Sequence, residues 1–429
     1  MLNVKGKYLY RDNQRYFYLA DTCWSAFTNI SLDDWKYYLD KRKEQGFNVI
    51  QINVLPQWDA SGKNLGIYPF PVKHYPDGHY EYDYKSLNEK YFERAEKMLV
   101  EMIKRDLTPA LVLLWANYVP GTWAGDMAPN NHFEYEFLES YVRYVVNRFK
   151  EYHPIYFVSG DTDFPTEKSC EYYRCVLRTA KEIAPDALYS FHIRGRYTDI
   201  PEEFLKESDF FSYQSGHNLA GQDTSYTIPE KMRKAGFNGP IINTEPCYDQ
   251  ISYSRKLYGR FRPYDVRKAS WSSVLAGADA GLTYGAHGIW SWHQKDASFG
   301  IVEGEGFDVP FDWRDAIKFS GAQDVAFLKT IITEYAKEGL DPVAVDLNGH
   351  CEIKTAKIKN GYLIYVPVNT QLDLSLLNIN RDRCNVKIID LKDKKTYIGD
   401  FSQKYINKLN LTPCLEDMVV VINTGGKEK

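Results

Sequence analysis

Hydrophobic residues along the first three quarters of the chain fall into two alternating textures. Short, near-continuous β-rich runs such as "YFYLADTCW" (Tyr16 to Trp24), "FNVIQINVL" (Phe47 to Leu55) and "TPALVLLWA" (Thr108 to Ala116) alternate with longer amphipathic helical runs. Continuous apolar runs suit strands buried on both faces. Strands separated by helices are the pattern of parallel βα units. Five further strands are predicted: Ile155 to Gly160, Leu188 to Ile193, Asp209 to Ser215, Pro240 to Glu245, and Gly281 to Trp292. Helices are predicted from Ser31 to Gly46 and near 88–105, 131–152, 167–183, 228–235, 265–278 and 313–334. The stretch "SLDDW" opens the first of them with Ser31 as N-cap and acids in the first turn.

Eight strands interleaved with helices count out an α/β fold, a (β/α)8 TIM barrel. An open doubly wound sheet accounts for only five or six units. It also favours a Gly-rich first turn, which "ADTCWSAF" is not. Beyond Glu338 the pattern switches to period two, in "CEIKTAKIKNGYLIYVPVNT" and "CNVKIIDLKDKKTYIGDFS", with a turn signal at Lys359-Asn360-Gly361. The expected division is a barrel domain over 1–337 and a small C-terminal antiparallel β-sandwich domain over 338–429. Gly425 to Lys429 reads as a solvated tail.

The net charge of −4 and pI near 6.2 give no support for nucleic acid or an anionic membrane as partner. No stretch of about 20 apolar residues exists, so no transmembrane helix is expected. The N-terminal "MLNVKGKYLYRDNQRYFYLA" carries charges throughout and does not read as a secretory signal. The seven Cys are scattered and odd in number, without zinc or redox spacing. Reduced thiols in a cytoplasmic protein are the expectation. No cofactor is expected, and no metal, because His192, His217, Asp161 and Glu245 show no local ligand spacing. The Gly/Pro text from Gly66 to Val72 reads as loop rather than phosphate cradle.

Aromatic residues are abundant: 34 Tyr, 22 Phe and 9 Trp make 15% of the chain. Sugar-binding clefts use such rings as apolar platforms with polar edges. A general Tyr-rich bias explains the number equally well until positions are considered.

Catalytic groups of this barrel lie at the C-terminal ends of strands. There the sequence places Asp21, Thr22 and Trp24, then Asn53, Gln57 and Trp58, then Trp115 and Asn117. Later strands end in Asp161 with Asp163, in His192 and Arg194, and in Tyr213, Gln214 and His217. Glu245 ends the seventh; the eighth carries His287, Trp290, Trp292 and His293. Two carboxylates on opposed strands are what glycoside hydrolysis requires, one to donate a proton and one to attack the anomeric carbon or activate water. Glu245 as nucleophile makes Asp161 the acid/base, with environments that push their pKa values apart. Each has a plain alternative: Glu245 paired with an Arg or Lys, Asp161 as N-cap of the following helix. Their joint placement on strands four and seven favours the catalytic reading. The residues expected to bind substrate are Asp21, Trp24, Asn53, Trp58, Trp115, Asn117, His192, Tyr213, Gln214, His287, Trp290 and Trp292, with Trp292 as the platform under the reacting sugar.

The opening "YFYLADTCWSAFTNISLDDWKYYLDKRKEQGFNVIQINVLP", the strand-four "FVSGD" and the strand-seven "NTEPCYD" together resemble the apiosidase-like glycoside hydrolases, family 140 and its relatives. The resemblance covers the chain. It implies a (β/α)8 catalytic domain followed by a β-sandwich that carries a collagen-binding label. It implies a catalytic Asp after strand four and a catalytic Glu after strand seven, which map onto Asp161 and Glu245. Ser159 stands where the family has the first Gly of a Gly-Gly-Asp setting. The expectation is an exo-acting, retaining glycosidase on imported plant cell-wall-derived oligosaccharides, with the oligosaccharide substrate as partner and the oligomeric state open. The rivals are a metal-dependent barrel hydrolase, and a carbohydrate-binding protein on a degenerate barrel.

Overall fold

The computed structural model describes residues 1–425 except 60–64, 77–79, 255–256, 300–306, 378, 404, 406 and 412–413. The predicted tail at 426–429 and parts of the Pro56 to Ser86 insertion lie outside the described residues.

Eight short strands form one parallel sheet: β1 (Tyr18–Thr22), β2 (Val49–Asn53), β3 (Thr108–Val112), β4 (Ile155–Phe157), β5 (Tyr189–Ser190), β6 (Phe211–Tyr213), β7 (Ile241–Asn243) and β8 (Gly281–Tyr284). The order is β5-β4-β3-β2-β1-β8-β7-β6, so consecutive strands are neighbours and β8 closes onto β1. At the seam, Ser190 Oγ donates to Phe210 O and Ser212 Oγ to Phe191 O. The sheet is thus a barrel, and every residue of its eight strands is buried. Each strand is shorter than its apolar run, because the runs continue into the loops over the barrel mouth.

Local signals place the helices. Ser31 caps Leu32–Glu44 by accepting from the Asp34 N–H; Asp33 and Asp34 fill the first turn and Lys41, Arg42 and Lys43 the last. Thr166 and Ser169 form a capping box at the head of Glu167–Ile183. Two features escaped the sequence reading. Gln14–Tyr16 belongs to an antiparallel N-terminal sheet with Leu2–Lys5 and Tyr8–Arg11, so Tyr16 is not in β1. A short helix, Glu202–Glu207, lies between β5 and β6.

The chain then builds an antiparallel sheet in the order Asp341–Val343, Lys354–Ile358, Gly361–Val366, Met418–Asn423, Asn385–Asp390, Lys395–Ile398. Its period-two pattern serves two cores. Leu363, Tyr365, Val419 and Val421 pack into the barrel's cluster, while Ile364, Val366, Val420 and Ile422 face a second core with Leu372 and Leu409. The small ladder Leu372–Asp373 with Lys408–Leu409 covers that second core as the sandwich's other layer. Arg267 bridges the two parts, with 2.8 Å to Asp417 and 3.0 Å to Asp324.

Candidate active site

A pocket of about 220 Å³ opens at the C-terminal ends of the strands, and both Asp161 and Glu245 line it. Glu245 lies two residues past the end of β7. Its Oε1 is 2.8 Å from His217 Nε2, and its Oε2 is 3.1 Å from His192 Nε2, off line for a hydrogen bond. Among the described residues no Arg or Lys pairs with it. The ion-paired reading of Glu245 therefore gives way to a carboxylate held by two imidazoles. Burial pushes its carboxyl up, but His192 and His217 outweigh this and lower it to about 2.

Asp161 sits past the end of β4 with φ 51°, a left-handed conformation that few non-Gly residues adopt. Isolated bridges Trp115–Gly160 and Thr162–Ile193 flank it and fix the bend. Its backbone carbonyl accepts from Trp123 Nε1 at 2.6 Å, and its Oδ1 accepts from Gln214 Nε2. The helix that follows is capped by Thr166, so neither Asp161 nor Asp163 caps it; Asp163 pairs with Arg194 at 2.8 Å.

His192 connects the two acids. Its Nδ1 accepts from the Asp161 N–H at 3.3 Å, which leaves the proton of a neutral ring on Nε2, toward Glu245. Asp161, His192 and Glu245 each place a ligand-type atom within 4.8 Å of the other two, so these three side chains could also converge on a metal ion.

Aromatic rings wall the pocket. Trp24 and Trp115 meet edge to face at 5.0 Å, and Trp24 Nε1 donates to Tyr248 OH at 3.1 Å. Tyr248 packs on His217 at 4.3 Å. Burial and the neighbouring Glu245 push the Tyr248 phenol well above its ordinary value, so it stays neutral.

Of the residues expected to bind substrate, Trp24, Trp58, Trp115, Gln214 and Trp290 line the pocket. His192 stands behind the acids, fully buried. The others lie elsewhere. Asp21 is sealed beneath the site, 2.6 Å from Arg42 Nε and bonded by Tyr38 OH. Asn53 braces the loop after β2, donating to Gln57 and accepting from the Leu55 N–H. Tyr213 points away from the barrel axis, as strand alternation requires when Gln214 points in, and its OH donates to Ser225 O. Asn117 is buried in a 3₁₀ turn and His287 is buried against Arg260, 3.2 Å from Nδ1. Trp292 is not a platform: it is fully buried and stacked on Trp313 at 4.3 Å.

Gln57, His217 and Arg194 lie on the pocket wall although the sequence reading singled none of them out for binding. Asp59, Trp123, Arg196, Tyr248, Phe299 and Phe307 also line it. Trp123 opens the short helix Trp123–Met127; the others come from loops, whose course no periodicity reveals, and of these Tyr248 alone had a signal, three residues after Glu245.

Residues 3–337 match the model of the apiosidase-like catalytic domain. The chain belongs to the apiosidase-like family. It is a glycoside hydrolase. A solved structure described as a glycoside hydrolase is similar to this apiosidase-like chain at 21% identity, over all of this chain and 97% of its own, with TM-score 0.80. A glycoside hydrolase family 5 protein from Bacteroides vulgatus is 22% identical over all of this chain and 94% of its own, with TM-score 0.78. At such identity these likenesses speak for the fold. No curated protein matches the apiosidase-like chain.

Proposed function

We propose that this enzyme is an exo-acting, retaining glycosidase of plant cell-wall-derived oligosaccharides, with Asp161 as acid/base and Glu245 as nucleophile. The observation that carries the reading is the approach of the two carboxylates to within 4.8 Å. Retaining enzymes hold their acids about 5–5.5 Å apart, and inverting ones about 6.5–9.5 Å, to admit a water. The closest oxygens of the pair, within 4.8 Å of each other, favour the shorter, retaining spacing. The lowered Glu245 carboxyl keeps it ionised at neutral pH, as attack on an anomeric carbon demands.

Asp161 protonates the glycosidic oxygen as Glu245 attacks the anomeric carbon; the leaving sugar departs and a glycosyl ester remains. Asp161, now ionised, takes a proton from water, and that water displaces Glu245. The small pocket supports exo action. Its 220 Å³ falls below the roughly 300–1,000 Å³ of drug-sized sites, room for a chain end rather than its middle. We assign catalysis to 1–337 and a separate β-sandwich to 338–429. A cytoplasmic location is supported by the seven cysteines, all unpaired and six of them buried. No described helix is long and apolar enough to cross a membrane.

The test is hydrolysis of a panel of 4-nitrophenyl glycosides and cell-wall oligosaccharides by wild type, Asp161→Ala and Glu245→Gln, with product anomers followed by NMR. Both variants should lose at least about a thousandfold in rate, and the first product should keep the substrate's anomeric configuration. Full activity in Glu245→Gln, or inversion, would refute the assignment. The metal reading has its own observation, the Asp161-His192-Glu245 cluster. Elemental analysis showing a stoichiometric metal whose removal abolishes turnover would favour it.

A further inference from the structure

Gln57, Trp58 and Asp59 are consecutive, and all three line the pocket that holds Asp161 and Glu245. An extended chain would send alternate residues to opposite sides; here the backbone turns at Trp58 and Asp59, and one wall receives all three. Asp59 is anchored from behind: Asn53 Nδ2 donates to Gln57 Oε1 at 3.0 Å, and Gln57 Nε2 donates to Asp59 Oδ1 at 2.8 Å. The amide relay runs from the end of β2 and aims the carboxylate. Trp58 beside it meets Trp123 edge to face at 5.7 Å.

Among the described residues no Lys or Arg pairs with Asp59, and it caps no helix. A carboxylate in a partly closed pocket is costly unless its oxygens find donors. Gln57 supplies one. A ring with an adjacent carboxylate is the arrangement that holds a sugar, the ring taking the C–H face and the carboxylate the hydroxyls.

We propose that Asp59 is a substrate-binding residue, accepting hydrogen bonds from hydroxyls of the sugar seated against Trp58. The inference rests on the glycosidase reading and deepens it. Free hydroxyls satisfy this acceptor, so the recognised unit is a sugar whose hydroxyls face Asp59.

Asp59 also makes binding pH-dependent. Burial pushes its carboxyl up, Gln57 and His217 draw it down, and Glu245 repels its charge; the result is about 6. The charged and titratable groups sharing its pocket are Asp161, Glu245, His217, Tyr248, Arg194 and Arg196. The ionised form is the better acceptor, so affinity should fall as pH drops through about 6.

The test is steady-state kinetics from pH 5 to 8 on a 4-nitrophenyl glycoside that wild type cleaves, with Asp59→Asn, Asp59→Ala and Glu245→Gln. Asp59→Asn should raise KM by at least about tenfold at pH 7 and leave kcat within about threefold. Wild-type KM should climb below pH 6, and in Asp59→Asn this climb should vanish. Asp59→Ala should raise KM further with an unchanged melting temperature. An Asp59→Asn KM within twofold of wild type, or a loss confined to kcat, would overturn the proposal. Activity surviving in Glu245→Gln would instead overturn the reading beneath, since the KM effect of Asp59 does not depend on which group attacks.

Discussion

His192 Nε2 stands 3.1 Å from Glu245 Oε2, while the other nitrogen of the same ring accepts the Asp161 N–H at 3.3 Å. One fully buried imidazole thus spans the two carboxylates and ties their spacing to the β5 end.

Removing the ring tests that tie. His192→Ala takes away one of the two groups that hold the Glu245 carboxyl down, so its pKa should rise from about 2 toward the ordinary value near 4.3. A larger share of Glu245 is then protonated at mildly acidic pH, and kcat/KM should gain an acidic limb above pH 4. At pH 7 kcat should drop by roughly a hundredfold from lost positioning. A pH profile from 3.5 to 8 measures both; an unshifted acidic limb would count against the tie.

Asp161 holds φ 51° without being glycine. Such a conformation costs on the order of 1 kcal/mol for a residue with a Cβ and nothing for glycine. Asp161→Gly and Asp161→Ala should both be inactive, but the Gly variant should melt about 1 °C higher than the Ala variant. Calorimetry on the pair decides it. Equal melting temperatures would mean that the bend carries no strain.

The barrel and the strand-end positions of Asp161 and Glu245 were legible because continuous apolar runs and strand-end carboxylates are local signals. Trp24, Trp58 and Trp115 were placed well because each follows its strand closely. Asp21 and Trp292 misled for one reason: a strand-end position fixes height along the barrel but not whether a side chain points into the pocket or into the packing around it. Asp21 turns toward Arg42, twenty-one residues later on the next helix, and nothing local in the sequence announces that pairing. Asp59 lies on a loop, where neither period two nor period 3.6 applies, and Trp123 heads a five-residue helix too short to show a period.

The Asp21–Arg42 pair is fully buried at 2.6 Å. The Arg42 guanidinium also lies 5.3 Å from the Phe47 ring centroid and 5.4 Å from that of Tyr284. Deleting one partner strands a buried charge, which costs about 3–5 kcal/mol. Asp21→Ala should lose that much in denaturant unfolding, yet keep wild-type KM in whatever fraction folds, because it lies beneath the pocket. A raised KM with intact stability would restore Asp21 as a sugar ligand.

Gly160 precedes the acid and lies flat under the indole of Trp115. A Cβ there would sit 2.2 Å from Trp115 Cε3, far inside contact distance. The demand is for space, not for a left-handed backbone, since Gly160 is not among the positive-φ residues. Gly160→Ala must therefore shift Trp115, which packs at 5.0 Å on Trp24 and 5.6 Å on His192. Overpacking of this kind costs about 1–3 kcal/mol, and the displaced wall should raise KM as well. The two residues are coupled, so shrinking the indole should relieve the clash. In the cycle of Gly160→Ala, Trp115→Leu and the double variant, the double should be more stable than the sum of the single losses by at least about 1 kcal/mol. Strict additivity would show that Trp115 is not what Gly160 accommodates.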